Sequence, residues 1–166
     1  MATEKILVLG IGNDILTDDG IGPKLVGELR KMDFPADITF KTASVGGLEI
    51  LEMISGFSRV FLIDAIRTKN GKPGTVYFLP AEDFSETQNL TNLHDVNFLT
   101  ALELGSKLNF QIPGEIMIIA VEIVEDLEFS EDLSPALKKR YPEILSKVHK
   151  FLLEALMYQK SMTPAR

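Results

Sequence analysis

Short apolar runs alternate with amphipathic stretches along the whole chain, and that alternation leaves it few folds beyond strands connected by crossover helices in an α/β sheet. The first run, residues 6–9, is apolar without interruption, as a strand covered on both faces must be, and it stops at Gly10. A loop follows. Ile21, Leu25, Val26, Leu29 and Met32 then recur at helical spacing, with Pro23 in the first turn. Residues 38–42 read as a second strand, and Leu48, Leu51 and Ile54 mark a short helix after the Gly46-Gly47 turn. Residues 60–63 form a third strand ending at Asp64. Asn70-Gly71 then favours a hairpin into a fourth, residues 75–79, antiparallel to the third and a candidate edge. Val96, Leu99 and Leu102 place a helix before Gly105, and residues 116–124 give the fifth strand. A long helix with Leu145, Val148, Leu152 and Ala155 facing inward and Pro142 near its start closes the chain. The expectation is a mixed five-stranded sheet in one domain over residues 1–160, with a frayed tail at 161–166.

Composition narrows the function. A net charge of -7 opposes phosphate backbones and anionic lipid, so nucleic acid is not an expected partner. Cysteine is absent, which excludes disulfides, thiolate ligands and a cysteine nucleophile. No apolar run reaches the roughly 18 residues of a membrane span, and no signal peptide is legible, so the expected location is cytoplasmic. Ligands of open α/β sheets gather at the carboxyl ends of the parallel strands. There LGIGNDILTDDGIG, residues 9–22, puts Asp18 and Asp19 just before a helix, Asp64 ends strand three, and His94 opens a later helix. Two carboxylates and an imidazole suit zinc, nickel or a similar divalent ion with open positions for substrate. The blander roles are a helix N-cap for Asp18 or Asp19, a loop cap or Arg67 pair for Asp64, and a helix start for His94. His149, mid-helix, has no assigned role. GIGNDI begins like a dinucleotide fingerprint, but Ile15 stands where its third glycine belongs and no acid ends strand two. GxSxG, HExxH and P-loop motifs are absent.

The loop motif GIGN-x-x-x-TDDGIG, the Asp of FLIDAI and the His of LHDVNFL resemble, in order and approximate spacing, the hydrogenase maturation proteases, over about residues 5–156. The resemblance implies a three-layer α/β sandwich: a twisted, mostly parallel five-stranded sheet with one antiparallel strand and helices on both faces. It puts the family's three metal-binding positions on Asp19, Asp64 and His94, with Glu the frequent residue where Asp19 stands. Relatives often carry an Asp before a Gly-Gly-Thr turn after strand two. Here Thr42-Ala43-Ser44-Val45 precede Gly46 and Gly47, which still permit a close approach to a bound peptide. The implied activity is endopeptidase cleavage of the carboxy-terminal extension of a nickel-iron hydrogenase large-subunit precursor after nickel insertion. Nickel would be brought by the substrate, and zinc or cadmium could occupy the same site. A nickel-binding checkpoint chaperone that inspects the precursor without cutting it is the alternative.

Overall fold

The structure, a computed structural model, describes residues 3–44, 46–83 and 98–162. Among them, strands β1 (Ile6–Ile11), β2 (Ile38–Ala43), β3 (Arg59–Ile66), β4 (Val76–Pro80) and β5 (Glu115–Glu122) form one sheet in the order β2-β1-β3-β5-β4. β1, β2, β3 and β5 run parallel, and β4 lies antiparallel to β5. Burial explains the order. β1 is buried throughout and β3 and β5 nearly so, which requires neighbours on both sides and layers above and below; β2 and β4 are at most half-buried and take the edges.

The predicted hairpin between the third and fourth strands is not made. β4 is antiparallel and an edge strand as expected, but β5 stands between it and β3, pairing with β3 from Arg59 opposite Glu115 to Ile66 opposite Glu122. An apolar strand such as β5 gains more in the interior than β4 would, so loop 67–75 passes across the end of β5. Two backbone hydrogen bonds hold it there, from Gly74 N to Glu122 O and from Glu122 N to Thr75 O.

Helices α1 (Ile21–Leu29) and α4 (Pro135–Met162) cover one face, where Ile21, Leu25 and Val26 meet Val8, Phe61, Ile63, Ile144 and Val148. The opposite face carries α2 (Gly47–Ile54), whose Ile50 and Ile54 pack on Leu7, Leu9, Val60 and Leu62, and α3 (Phe98–Lys107), whose Phe98 joins the same cluster. The sandwich expected from the resemblance is thus the fold observed.

Several boundaries shift. Leu48 is exposed, because α2 turns Ile50, Leu51 and Ile54 inward instead. Within α3 the inward residues are Phe98, Ala101 and Gly105. Val96 lies outside the described residues. α4 starts at Pro135, well before Pro142, with Ser134 ahead of it accepting Leu137 N at 3.5 Å; serine followed by proline is a sound helix start. That helix runs on to Met162, and 163–166 of the expected frayed tail lie outside the described residues. No described helix is long and apolar enough to cross a membrane.

Candidate active site

The glycine-rich loop turns sharply after β1 and folds onto itself. Gly12 has φ 147°, and a Cβ there would lie 2.0 Å from the Asp19 carbonyl oxygen, so only glycine allows the loop to close on the acidic turn. The closure is fastened by Asn13 N, which donates to Asp19 Oδ2 at 2.8 Å, and by Gly12 N, which donates to Ala43 O at the end of β2. Residues Thr17–Gly20 then form a 3-10 turn that leads directly into α1. A Cβ on Gly22 would come within 2.5 Å of Ile63 O and 2.7 Å of Ile11 O, so α1 starts in contact with the backbones of β1 and β3. This close approach carries Asp19, one turn earlier, to the edge where Asp64 follows Ile63, and the 3-10 turn packs on β3.

Neither Asp18 nor Asp19 is a helix cap, contrary to one expectation. Gly20 is the N-cap of α1 and Leu16 that of the 3-10 turn, both without a side-chain bond. Asp18, fully buried, instead reaches across to residues 124–134. Its Oδ2 accepts Val124 N at 3.1 Å, Glu125 N at 3.0 Å and Ser134 Oγ at 2.8 Å, while Oδ1 accepts Ser134 N at 2.7 Å. These donors satisfy a buried carboxylate without a cation. Thr17, at φ 50°, occupies the left-handed region, which is costly for a β-branched residue. Its N–H donates to Ser130 O at 3.0 Å and its hydroxyl to Glu128 O at 2.6 Å, so the same strap holds it.

Asp64 is fully buried and stands inside β3, not at its end: the strand continues through Ile66. Alternation puts it on the α2 and α3 face, between Leu62 and Ile66, and its Oδ1 accepts Ala65 N at 2.8 Å. Arg67 is engaged with Val124 O and with Asp126 Oδ1, the latter at 2.7 Å. Gly46 is the extended N-cap of α2 and Gly47 its buried first residue, at the same end of the sheet. His94 lies outside the described residues. Among those described, no group of three or more His, Cys, Asp or Glu is arranged to hold a metal. Asp19 and Asp64 are two of the four buried acids at the carboxyl end of the sheet among the described residues, with Asp18 and Glu122 the others.

Sequence reasoning missed Glu122. Almost fully buried, it accepts Thr68 N at 2.6 Å, Thr68 Oγ1 at 2.9 Å and the Tyr77 hydroxyl at 3.1 Å, and so anchors the loop that leaves β3. Burial, then the hydrogen bond and charge of Glu122, push the Tyr77 phenol above its ordinary value. The available signal was the one used for Asp64, an acid within an apolar strand. The nucleotide reading loses ground here, since buried Asp18 and Asp19 precede the helix end where a phosphate would need a positive field.

The family model described as hydrogenase maturation protease matches residues 23–151, a span that holds Asp64 and His94 and begins just after the acidic turn. Hydrogenase 2 maturation protease of Escherichia coli is 29% identical over 154 residues, 91% of this chain and 92% of the relative. Of solved structures, the hydrogenase maturating endopeptidase HybD from E. coli superposes with a TM-score of 0.71 at 27% identity, covering 91% of this chain and 93% of that one. An endopeptidase from Escherichia coli solved in solution gives 0.69 at 26% identity, covering 87% and 89%.

Proposed function

The chain belongs to the hydrogenase maturation protease family, and from that premise we propose that it is an endopeptidase that removes the carboxy-terminal extension of a nickel-iron hydrogenase large-subunit precursor once nickel is in place. The observation that carries this reading is the pair of buried acids at one sheet edge: Asp19, placed by the loop closing at Gly12, and Asp64, placed within β3.

In this reading nickel arrives with the substrate. Asp19, Asp64 and His94 supply two hard oxygens and a borderline nitrogen, a donor set that suits nickel and admits zinc or cadmium. Engaging the precursor's own ion brings the scissile peptide into register, with Gly46 and Gly47 beside the bound chain. Hydrolysis adds water across the C–N bond: its oxygen joins the carbonyl carbon, one proton is taken up, and the amine departs protonated. A carboxylate of the pair is the group available to receive that proton and return it. The reaction belongs in the cytoplasm.

The test is incubation of the chain with nickel-loaded and nickel-free precursor, with the mass of the large subunit as readout. Loaded precursor is shortened and nickel-free precursor is not. Asp19→Asn, Asp64→Asn and His94→Ala each lower conversion by a hundredfold or more, while Asp19→Glu and His149→Ala retain it. Full conversion by both His94→Ala and Asp19→Asn would reject the assignment, and tight binding of loaded precursor without cleavage would favour a checkpoint chaperone instead.

A further inference from the structure

The strap that Asp18 holds carries unusual side chains. Phe129 is 82% exposed and Leu127 78%, and Ile15 at 46% and Val124 at 44% stand on the same two interlocked loops. Exposed apolar groups of this size, clustered rather than scattered, mark interaction sites. Their backbone is fixed. Leu16 bridges Ser130, Ser130 N donates to Ile15 O at 3.0 Å, and Asp18 N donates to Glu125 O at 2.9 Å. Glu125 Oε1 accepts Leu127 N at 2.7 Å and Glu128 N at 3.0 Å, which shapes the very turn that presents Leu127. Anchors held in advance lose little freedom on binding.

We infer that Leu127 and Phe129, with Ile15 and Val124, form a docking surface for the precursor segment next to the scissile bond, gripping an apolar side chain flanked by lysine or arginine. The inference rests on the endopeptidase reading and adds to it the place and chemistry of the grip. Two observations select this occupant. The patch is tied to the candidate site, because the turn that carries Asp19 is hydrogen-bonded through Thr17 and Asp18 to the strap. Its rim carries exposed Asp14, Glu128 and Glu131, while the cations beside it are engaged, Arg67 by Asp126 and Lys24 by the Glu131 carbonyl. A second copy of this chain, at net charge -7, would bring like charge to that rim.

The experiment uses the full chain and nickel-loaded precursor, and follows binding and cleavage separately. The double variant Leu127→Ser with Phe129→Ser raises KM and the binding constant at least tenfold, with kcat and the unfolding temperature unchanged. Leu108→Ser, at an exposed position just past the carboxyl end of α3, changes neither. Glu128→Lys weakens binding several-fold and lessens its salt dependence. Wild-type KM in the double variant overturns the proposal, as does a fall in kcat alone. A wild-type dimer that the double variant dissociates, without a change in KM, assigns the patch to self-association and also overturns it. If the wild type binds precursor without cutting and the double variant loses that binding, the docking surface stands and the protease reading falls. If the wild type neither binds nor cuts, both fall.

Discussion

Gly12 shows how closely a single residue can govern this site. Gly12→Ala adds a methyl group into the Asp19 carbonyl and forces φ 147° on an L side chain. We expect a loss of about 1–3 kcal/mol in stability and a larger loss in precursor processing, because the loop must open and take Asp19 with it; equal stability by urea titration would contradict this. Asp18 offers a different test. Asp18→Ala strands the buried donor on Ser134, at roughly 1–3 kcal/mol, and frees the part-buried N–H groups of Val124 and Glu125, which water can reach at smaller cost. Asp18→Asn, similar in shape, recovers part of this. Thermal unfolding of the three proteins gives the order directly. At this scale the sequence was informative about chemistry and poor about partners. Two acids before a helix are visible in TDDGIG, but which of them turns to the strap depends on donors at residues 124–134, and no local pattern reveals contacts over such a separation.

For elements, the apolar runs located every described strand and the helical spacing located α1, because both are local properties of the chain. The neighbour of β4 was misjudged because Asn70-Gly71 is a local turn signal, whereas strand order is settled by which segment can be buried on both faces. The strap 124–134 was read in part as an extension of the fifth strand. Its order comes from side chains accepting backbone N–H groups, which leaves no periodic trace. Glu125 makes one of those devices testable by pH. Hydrogen bonds from Leu127 N and then Glu128 N hold its carboxyl below the ordinary value of 4.5. With the folded value lowered, its contribution is complete above that range and is lost as pH falls through the folded value. Amide resonances of Leu127 and Glu128 therefore shift together on acidification, with a midpoint below 4.5; Glu125→Gln removes the transition. Independent midpoints for the two amides would show that the carboxylate does not join them.

The whole molecule divides its labour between two faces. The α2 and α3 face holds Asp64 and Glu122 among apolar side chains, while α1 and α4 close the other face over a larger core. Tyr141 sits where those last two helices meet, donating to Lys24 O at 3.0 Å. Burial, then the charge of Glu28, push its phenol from 10.0 up to about 12. A raised folded value means that the unfolded chain ionises first. Stability is therefore intact below 10.0 and declines as pH climbs toward about 12. Tyr141→Phe lowers stability by about 0.5–1.5 kcal/mol at neutral pH through the lost hydrogen bond and flattens the alkaline decline. Parallel decline in both proteins, measured by denaturant titration from pH 8 to 12, would place its cause elsewhere.

The latch on Asp18 also imposes an order on biosynthesis. Asp18 leaves the ribosome early, but the donors that its carboxylate requires follow 106 to 116 residues later. Until they emerge, the Asp18 carboxylate has none of the donors that hold it in the finished fold, so a growing chain exposes the motif before the strap can fix its turn. Nascent chains stalled before residue 124 should leave loaded precursor intact, whereas chains stalled far enough downstream for α4 to dock should process it.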